Sequence, residues 1–287
     1  MEYREHRYAS ACGRLTLFAR DYGGTGKPVL MMHGLTRNSG DFEGLAQHLA
    51  GQYRLVVPDQ RGRGLSDYDP VPGNYRPDTY AKDMFALLAS LDIERPALIG
   101  TSMGGLMAMV MNAMAPESFP AIAFNDVGPV LDPAGLARIS SYAGVGGPMA
   151  NWAAAAQACA ATNAEAFPDY GPADWQAWAR RTCRELPDGR VEFAYDPAIA
   201  QGFADVDDTP QAEADLWPLW ELLGQTPVLA LRGALSDLLA PDTLVEMTRR
   251  HTGPITAVTV PGRGHAPMLD EPEAVAAITA FLADHWS

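Results

Sequence analysis

The sequence predicts an α/β protein in which a mostly parallel sheet of eight strands carries helices on both faces. Short apolar or alternating segments, several of them rich in β-branched residues, are typical of strands. From the third strand onward, strands alternate with helical segments, and this alternation favours a parallel sheet. The eight predicted strands are residues 3–9, 15–22, 28–32, 54–57, 97–99, 121–124, 228–232 and 255–260.

The predicted helices each follow a strand. The last one has the clearest start, because Asp270, Glu271 and Pro272 place two acids and a proline at its N-terminus. The first two strands precede every helix, and their polar alternation predicts an antiparallel hairpin at the sheet edge. The predicted helices are residues 42–50, 79–91, 103–115, 243–251 and 273–285.

Composition and charge exclude several classes of protein. The chain has 287 residues, a length that fits one large α/β domain carrying an insertion. It is 47% hydrophobic and 20% charged, which is typical of a soluble globular protein. No apolar run approaches the roughly 20 residues of a membrane span, and the start of the chain lacks a signal-peptide pattern, so we expect a cytoplasmic protein with no membrane partner. The net charge of −14 argues against a nucleic-acid partner.

The most informative motif is Gly100-Thr101-Ser102-Met103-Gly104, which lies between a short apolar strand and a helix. A G-x-S-x-G in this setting predicts a nucleophile elbow. The turn is so tight that Gly100 and Gly104 are needed on its flanks. It lifts the oxygen of Ser102 clear of the sheet edge and points the first N–H groups of the helix at whatever that oxygen attacks.

A serine hydroxyl is a poor nucleophile near neutral pH, so it needs a base, and the base needs an orienting acid. Asp237 and His265 each lie just past the C-terminal end of a predicted strand. That edge is where open α/β sheets build their sites. The gap between Ser102 and Asp237 leaves room for an insertion, and the gap from Asp237 to His265 fits one helix and one strand.

Four further segments accompany the elbow: His33-Gly34, the D-x-R-G-x-G-x-S stretch at residues 59–66, Gly233 to Asp237, and Gly264-His265. In this order and at strand ends, the five segments together resemble the α/β-hydrolase superfamily, in its serine esterase and lipase-like branch near enol-lactonases and C–C bond hydrolases. The resemblance covers almost the whole chain.

The resemblance implies a catalytic triad of Ser102, Asp237 and His265, because the family order is serine, then acid, then histidine. Asp126 is an alternative acid: it follows the strand at residues 121–124, and some family members take the acid from this strand end. Asp126 has a simpler interpretation as a loop carboxylate that binds nearby backbone N–H groups. Asp237 is preferred because it matches the usual position.

The resemblance also implies an oxyanion hole made by the backbone N–H groups of Leu35 and Met103. We interpret His33 as a structural histidine that braces the oxyanion loop, because a single base is enough and His265 has the right chain order. Asp59 and Arg61 are interpreted as structural residues that hold the loop beside the site.

Residues 128–215 depart from the alternating pattern, since alanines and helix breakers dominate and strand signals are weak. This segment resembles the helical cap that many family members insert after strand six, where it roofs the pocket and selects the substrate. Its Trp152, Trp175 and Trp178 individually have the simpler role of packing the cap onto the core. The predicted domains are a core of residues 1–127 and 216–287 and a cap, or lid, of residues 128–215.

These inferences give the hypothesis of a serine hydrolase that cleaves a small-molecule carboxylic ester through an acyl-enzyme, with no metal or organic cofactor. Ser102 argues against haloalkane dehalogenases and epoxide hydrolases, which use a carboxylate nucleophile. A lactonase of the enol-lactonase type and a C–C bond hydrolase of aromatic degradation remain as alternatives. A different class is a non-catalytic ligand receptor on a hydrolase fold.

The expected partner is a small-molecule ester or lactone, and the sequence makes no prediction of the oligomeric state. Arg37, two positions after the oxyanion loop residue Leu35, is a candidate for binding a substrate carboxylate. A solvent-facing position is the simpler interpretation of this arginine.

Overall fold

The computed structural model of the chain describes residues 2–201 and 215–287, and eight strands within them form one sheet. A separate hairpin of two short strands lies between the sixth and seventh strands of that sheet. In chain order, the strands of the large sheet are β1 (Arg4–Ala9), β2 (Thr16–Asp21), β3 (Pro28–Met32), β4 (Arg54–Asp59), β5 (Ala97–Thr101), β6 (Ile122–Asn125), β9 (Val228–Gly233) and β10 (Ile255–Val260), and those of the hairpin are β7 (Cys183–Glu185) and β8 (Val191–Phe193).

The spatial order of the large sheet is β1-β2-β4-β3-β5-β6-β9-β10. β1 pairs antiparallel with β2, and β2 pairs antiparallel with β4. Every later pair is parallel, which places the carboxyl ends of β3, β5, β6, β9 and β10 at one edge. The predicted eight-stranded, mostly parallel sheet with an antiparallel hairpin at one side is confirmed.

Helices cover both faces of this sheet, as predicted. None of the helices within the described ranges is long and apolar enough to cross a membrane. The helices are α1 (Glu43–Leu49), α2 (Pro77–Ser90), α3 (Met103–Met114), α4 (Pro133–Tyr142), α5 (Trp152–Asn163), α6 (Pro172–Thr182), α7 (Trp217–Glu221), α8 (Pro241–Arg250) and α9 (Pro272–His285).

Two hydrophobic cores lie on opposite faces of the sheet because successive strand residues point to opposite sides. In β5, Leu98 belongs to the core under α2 and α3, whereas Ile99 belongs to the core under α1 and α9. Both residues are fully buried. Burial on both faces explains why the central strands are continuous apolar runs rather than alternating ones.

Between β6 and β9, residues 133–200 hold α4, α5, α6 and the β7–β8 hairpin, and α7 follows them. We call residues 133–200 the inserted segment. It has a core of its own around Phe167, Trp175 and Trp178, and Met268 from the large sheet's last loop packs into that core. The predicted cap of residues 128–215 stays a prediction, and its last part, residues 202–214, lies outside the described residues.

Candidate active site

Ser102 lies in the turn between β5 and α3, at the edge where the parallel strands end. Its φ of 52° is in the left-handed region, which stores strain in a non-glycine residue. The turn needs its glycines because a Cβ at Gly104 would lie 2.0 Å from the carbonyl oxygen of Met32. A Cβ at Gly100 would lie 2.4 Å from the backbone of Gly104. The geometry is that of the predicted nucleophile elbow.

The structure brings Ser102 and His265 together, as the sequence predicts. The Oγ of Ser102 lies 2.8 Å from Nε2 of His265, and Nδ1 of His265 lies 2.8 Å from Oδ2 of Asp126. A carboxylate only accepts hydrogen bonds, so Nδ1 carries the proton and Nε2 is free to accept from the serine hydroxyl. The three side chains form one continuous hydrogen-bonded chain.

Asp126 is completely buried, and its carboxylate is held by two further hydrogen bonds. It follows β6 directly with a φ of 57°. Its Oδ1 accepts from the backbone N–H of Gly233 at 2.8 Å, and its Oδ2 accepts from the hydroxyl of Ser236 at 2.6 Å. Ser236 in turn accepts from the N–H groups of Leu238 and Leu239. Sequence reasoning missed Ser236, although its place beside Asp237 in the loop after β9 was a usable signal.

The expectation that Asp237 orients His265 is corrected by the structure. Asp237 forms a two-point ion pair with Arg138 of α4, at 2.5 and 2.9 Å. Burial pushes the pKa of Asp237 upward, but the hydrogen bond and charge of Arg138 hold it below its ordinary value. The physical reason is strand order: β6 lies between β5 and β9, so the carboxylate that follows β6 is one strand nearer to Ser102.

The loop that carries His265 is fixed by buried polar groups. Asn125, at the end of β6, donates to the carbonyl of Pro267 at 2.8 Å. Glu271 accepts from the N–H groups of Met268 and Leu269 at 3.0 and 2.9 Å. Burial raises the pKa of Glu271. Glu271 thus braces the histidine loop with its side chain, in addition to standing at the start of α9.

The predicted oxyanion loop follows β3 and is held by His33. Because the backbone N–H of Gln60 donates to Nε2 of His33 at 3.0 Å, the imidazole proton is on Nδ1, which donates to the carbonyl of Gly34 at 2.7 Å. Burial lowers the pKa of His33 to about 4, so the ring is neutral at neutral pH. The carbonyl of Gly34 and the N–H of Leu35 belong to one planar trans peptide and point in opposite directions. His33 therefore fixes the direction of the Leu35 N–H.

Met103 is the first residue of α3, so its backbone N–H has no acceptor within the helix. Both Leu35 and Ser102 line the same cavity.

Asp59 and Arg61 are structural, as interpreted: Asp59 accepts from the N–H groups of Ser39 and Leu65. Arg61 forms buried ion pairs with two aspartates, Asp69 and Asp83.

A cavity of about 510 Å³ opens above Ser102 and His265. Its size is within the range of small-molecule sites. Its lining is mostly apolar and comes from the β3, β5 and His265 loops below and from the inserted segment above. The inserted segment contributes among others Ile139, Tyr142, Val145, Met149, Ala158, Ala161, Trp178, Phe193 and Tyr195.

Arg37 lines this cavity instead of facing solvent. It pairs with Asp41 through two hydrogen bonds of 2.7 Å, and its guanidinium stacks 3.9 Å from the ring centre of Trp178. Trp175 lies in the inserted segment's own core, in which Met268 is the member from outside that segment, and Trp178 belongs both to this core and to the cavity wall. The carboxylate of Asp41 already compensates the positive charge of Arg37.

The fold and site geometry define a hydrolase of the α/β class, and comparison with known proteins gives the same answer. The model of the α/β hydrolase fold family matches residues 27–272. The chain belongs to this family and is an α/β hydrolase. The resemblance inferred from the five motifs is confirmed.

Several full-length relatives are hydrolases. The chain is 34% identical to a 3-hydroxybutyrate-oligomer hydrolase of Cupriavidus necator, over 95% of this chain and 94% of that one. It is 30% identical to a 2-(acetamidomethylene)succinate hydrolase of Mesorhizobium japonicum, over 94% and 92%. A crystal structure of an α/β hydrolase from Novosphingobium aromaticivorans superposes with a TM-score of 0.90, at 43% identity and 98% coverage of both chains.

Proposed function

We propose that this protein is a serine hydrolase that cleaves a small-molecule carboxylic ester through an acyl-enzyme. One observation carries the proposal: the hydrogen-bonded chain from Asp126 through His265 to Ser102 ends with the serine oxygen in the wall of a cavity. This arrangement of acid, base and nucleophile is the one that activates serine in acyl transfer.

In the proposed mechanism, His265 accepts the hydroxyl proton as the oxygen of Ser102 attacks the ester carbonyl carbon. The carboxylate of Asp126 stabilises the imidazolium that forms, and it does not itself take the proton. His265 then gives the proton to the leaving alkoxide, and the alcohol departs. A water molecule deprotonated by His265 cleaves the acyl-enzyme and regenerates Ser102.

The negative charge that develops on the carbonyl oxygen is assigned to the backbone N–H groups of Leu35 and Met103. The Leu35 N–H is directed by the bond from His33 to the Gly34 carbonyl. The Met103 N–H lies at the positive end of the α3 dipole. Fixed donors of this kind stabilise the transition state more than the ground state.

The substrate class is proposed from the cavity and the relatives. A mostly apolar cavity of about 510 Å³ fits an ester with short carbon chains. A relative at 34% identity is named for hydrolysing 3-hydroxybutyrate oligomers, which are linear esters of a short hydroxy acid. We therefore propose short-chain aliphatic esters, including those of hydroxy acids, as substrates.

The expected cytoplasmic location stays a prediction.

Residues 128–215 are proposed to act as a cap that selects the substrate and excludes water from the acyl-enzyme. The support is that the described part of this segment supplies much of the cavity wall opposite Ser102, including Ile139 and Phe193. The Arg138–Asp237 ion pair ties α4 to the loop after β9.

A second candidate is hydrolysis of a small carboxylate-bearing substrate other than a simple ester. The observation that favours it is the 30% identity with a 2-(acetamidomethylene)succinate hydrolase over 94% of the chain. Arg37 in the cavity wall is the cation that such a substrate would approach.

The experiment that tests the proposed function measures hydrolysis of p-nitrophenyl esters from acetate to laurate, of the linear 3-hydroxybutyrate dimer and of 2-(acetamidomethylene)succinate. Wild type is compared with Ser102→Ala and with Ser140→Ala, an exposed serine of α4 outside the cavity lining. We expect Ser102→Ala to lower kcat for short esters by about 10⁶-fold, to near background, and Ser140→Ala to match wild type. Equal turnover in wild type and Ser102→Ala would contradict the mechanism. Tight ligand binding without turnover would favour the receptor class.

A further inference from the structure

Arg63 is a completely buried arginine in the loop after β4 whose side chain reaches the oxyanion loop. Its Nε donates to the carbonyl of Leu35 at 2.8 Å. Its Nη1 donates to the carbonyl of Arg61 at 2.7 Å and to the hydroxyl of Tyr80 at 2.8 Å. Its Nη2 points at the sulfur of Met103, 3.8 Å away. One guanidinium thus contacts both residues whose N–H groups are assigned to the oxyanion.

Among the residues that the structure describes, Arg63 lacks the carboxylate partners that its neighbour Arg61 has. Arg61 forms ion pairs with Asp69 and Asp83, whereas no carboxylate within residues 2–201 and 215–287 forms an ion pair with Arg63. Its acceptors are two carbonyls, a hydroxyl and a thioether, of which sulfur is a weak acceptor. Burying a charge that has no partner among the described carboxylates is costly. This charge lies against Met103, the residue that follows Ser102.

The hydrogen bond from Arg63 to the carbonyl of Leu35 is the second of two bonds that hold the predicted oxyanion loop. His33 holds the carbonyl of Gly34, which lies in the same peptide unit as the Leu35 N–H. Arg63 holds the carbonyl of Leu35, which belongs to the next peptide unit. With both neighbouring peptides fixed, neither backbone dihedral angle of Leu35 can turn freely, so its N–H keeps one direction.

The backbone around Arg63 is also tied to the inserted segment. The N–H of Gly64 donates to the carbonyl of Ala194 at 2.7 Å, and Arg63 forms an antiparallel bridge with Tyr195. Tyr195 lines the cavity above Ser102. The inserted segment therefore holds the backbone from which the Arg63 side chain extends.

We propose that Arg63 is a positioning residue for catalysis: its guanidinium holds the Leu35 peptide in place and adds a positive charge behind the two oxyanion donors. The proposal rests on the proposed serine hydrolase function. Its effect belongs to the transition state, because the full negative charge on the substrate oxygen exists only there. Arg63 therefore acts on kcat and leaves KM nearly unchanged.

The test compares wild type with Arg63→Met, which keeps much of the side-chain volume and removes the charge and the donors. Tyr80→Phe is the matched control, since it removes a hydrogen bond of Nη1 in the same guanidinium and leaves the bond from Nε to Leu35 in place. The readouts are kcat and KM for p-nitrophenyl butyrate, the rate at which a fluorophosphonate labels Ser102, and the thermal midpoint. The label forms when Ser102 displaces fluoride at phosphorus, so it needs the same oxyanion donors without needing the natural substrate.

We expect Arg63→Met to lower kcat and the labelling rate together by about 10- to 100-fold, with KM within about threefold of wild type. Tyr80→Phe keeps both rates near wild type, and Arg63→Lys, which retains the charge, recovers part of the loss. A folded Arg63→Met with wild-type kcat and labelling, or with a change confined to KM, overturns the proposal.

If Arg63→Met does not fold, the neutral but hydrogen-bonding Arg63→Gln is measured against the same limits. Wild type that neither hydrolyses esters nor reacts with the fluorophosphonate would contradict the proposed function and this proposal with it. Wild type that does both, with an unaffected arginine variant, contradicts this proposal alone.

Discussion

The imidazole of His265 donates to the carboxylate of Asp126 across 139 residues of sequence, at 2.8 Å. The same carboxylate accepts from the loop after β9, through Gly233 and Ser236. Three neighbouring strand ends, those of β6, β9 and β10, are thereby joined around one buried carboxylate. The acid of the proposed triad comes from the end of β6.

Asp126→Asn is expected to lower kcat by about 10³- to 10⁴-fold while the protein stays folded, because an amide no longer fixes the right tautomer of His265 or stabilises its charged form. Asp237→Asn is the matched control. Its ion pair with Arg138 is partly exposed, so we expect a loss of at most about 1 kcal/mol in the free energy of unfolding. Its kcat should stay close to that of wild type.

Steady-state kinetics on a short ester and urea unfolding measure both variants side by side. The reverse ranking, with Asp237→Asn inactive and Asp126→Asn active, would restore Asp237 as the acid.

Gly104→Ala is expected to reduce the free energy of unfolding by about 3 kcal/mol, because the new Cβ would lie 2.0 Å from the backbone of β3 at Met32. The atoms nearest to the new Cβ are backbone atoms of Met32, so the clash cannot be relieved by moving a flexible side chain. Gly73→Ala is the control, since a Cβ there meets nothing within 4 Å and we expect a change within about 0.5 kcal/mol. Urea unfolding monitored by circular dichroism compares the two, and equal stability would contradict the tight-elbow argument.

The stability of the protein is expected to fall on mild acidification through His33. Its pKa is lowered from 6.5 to about 4 in the fold, so between these values the unfolded chain binds a proton that the folded protein does not. Stability is therefore lost as the pH falls through this window, by about 2 kcal/mol between pH 7 and pH 5 for this group.

His33→Asn isolates that contribution because asparagine does not titrate. The variant is expected to be less stable than wild type at pH 7, and the gap should narrow by about 2 kcal/mol at pH 5. Urea unfolding at both values measures it. A gap that stays constant would mean that His33 has the same pKa in the folded and unfolded chains.

Asp41→Asn is expected to change substrate preference. It removes the carboxylate that pairs with Arg37 in the cavity wall and leaves the guanidinium on Trp178 free to bind an anion. In the variant, the guanidinium of Arg37 can donate a hydrogen bond to the carboxylate of the substrate, and we expect this bond to contribute about 1 kcal/mol. That free energy corresponds to roughly a fivefold rise in kcat/KM for a carboxylate-bearing ester relative to its neutral methyl ester. Competition between the two esters measures this ratio directly. An unchanged ratio would show that Arg37 does not reach the substrate.

Local pattern predicts the elements of this chain well. The strand predicted at residues 28–32 matches β3, and the helix predicted at 273–285 begins one residue from α9, because apolar runs and proline-led helix starts are signals within one segment. The position of Ser102 in a tight turn is also predictable from the local sequence, since the backbone of the turn needs the glycines around it.

The site residues that the sequence analysis misplaced or missed depend on contacts between distant segments. Asp41 is only four residues from Arg37, but nothing in the local pattern of Arg37 places its guanidinium on the distant Trp178 and in the cavity wall. Arg63 occupies a variable position of a short motif, and its contact with the Leu35 carbonyl follows from the way two loops meet. Ser236 matters only because the carboxylate of Asp126 lies beside it.

The sequence by itself determined the α/β fold and singled out Ser102 and His265 as the proposed nucleophile and base, because each stands out by residues within one strand, turn or helix. Only the tertiary structure decided which carboxylate is hydrogen-bonded to His265. Asp126 and Asp237 both follow a strand, so their local patterns are equivalent. The choice between them depends on β6 lying next to β5, and on Arg138 of α4 pairing with Asp237. Strand order and a partner on a distant helix are properties of the packed chain, which no single segment carries.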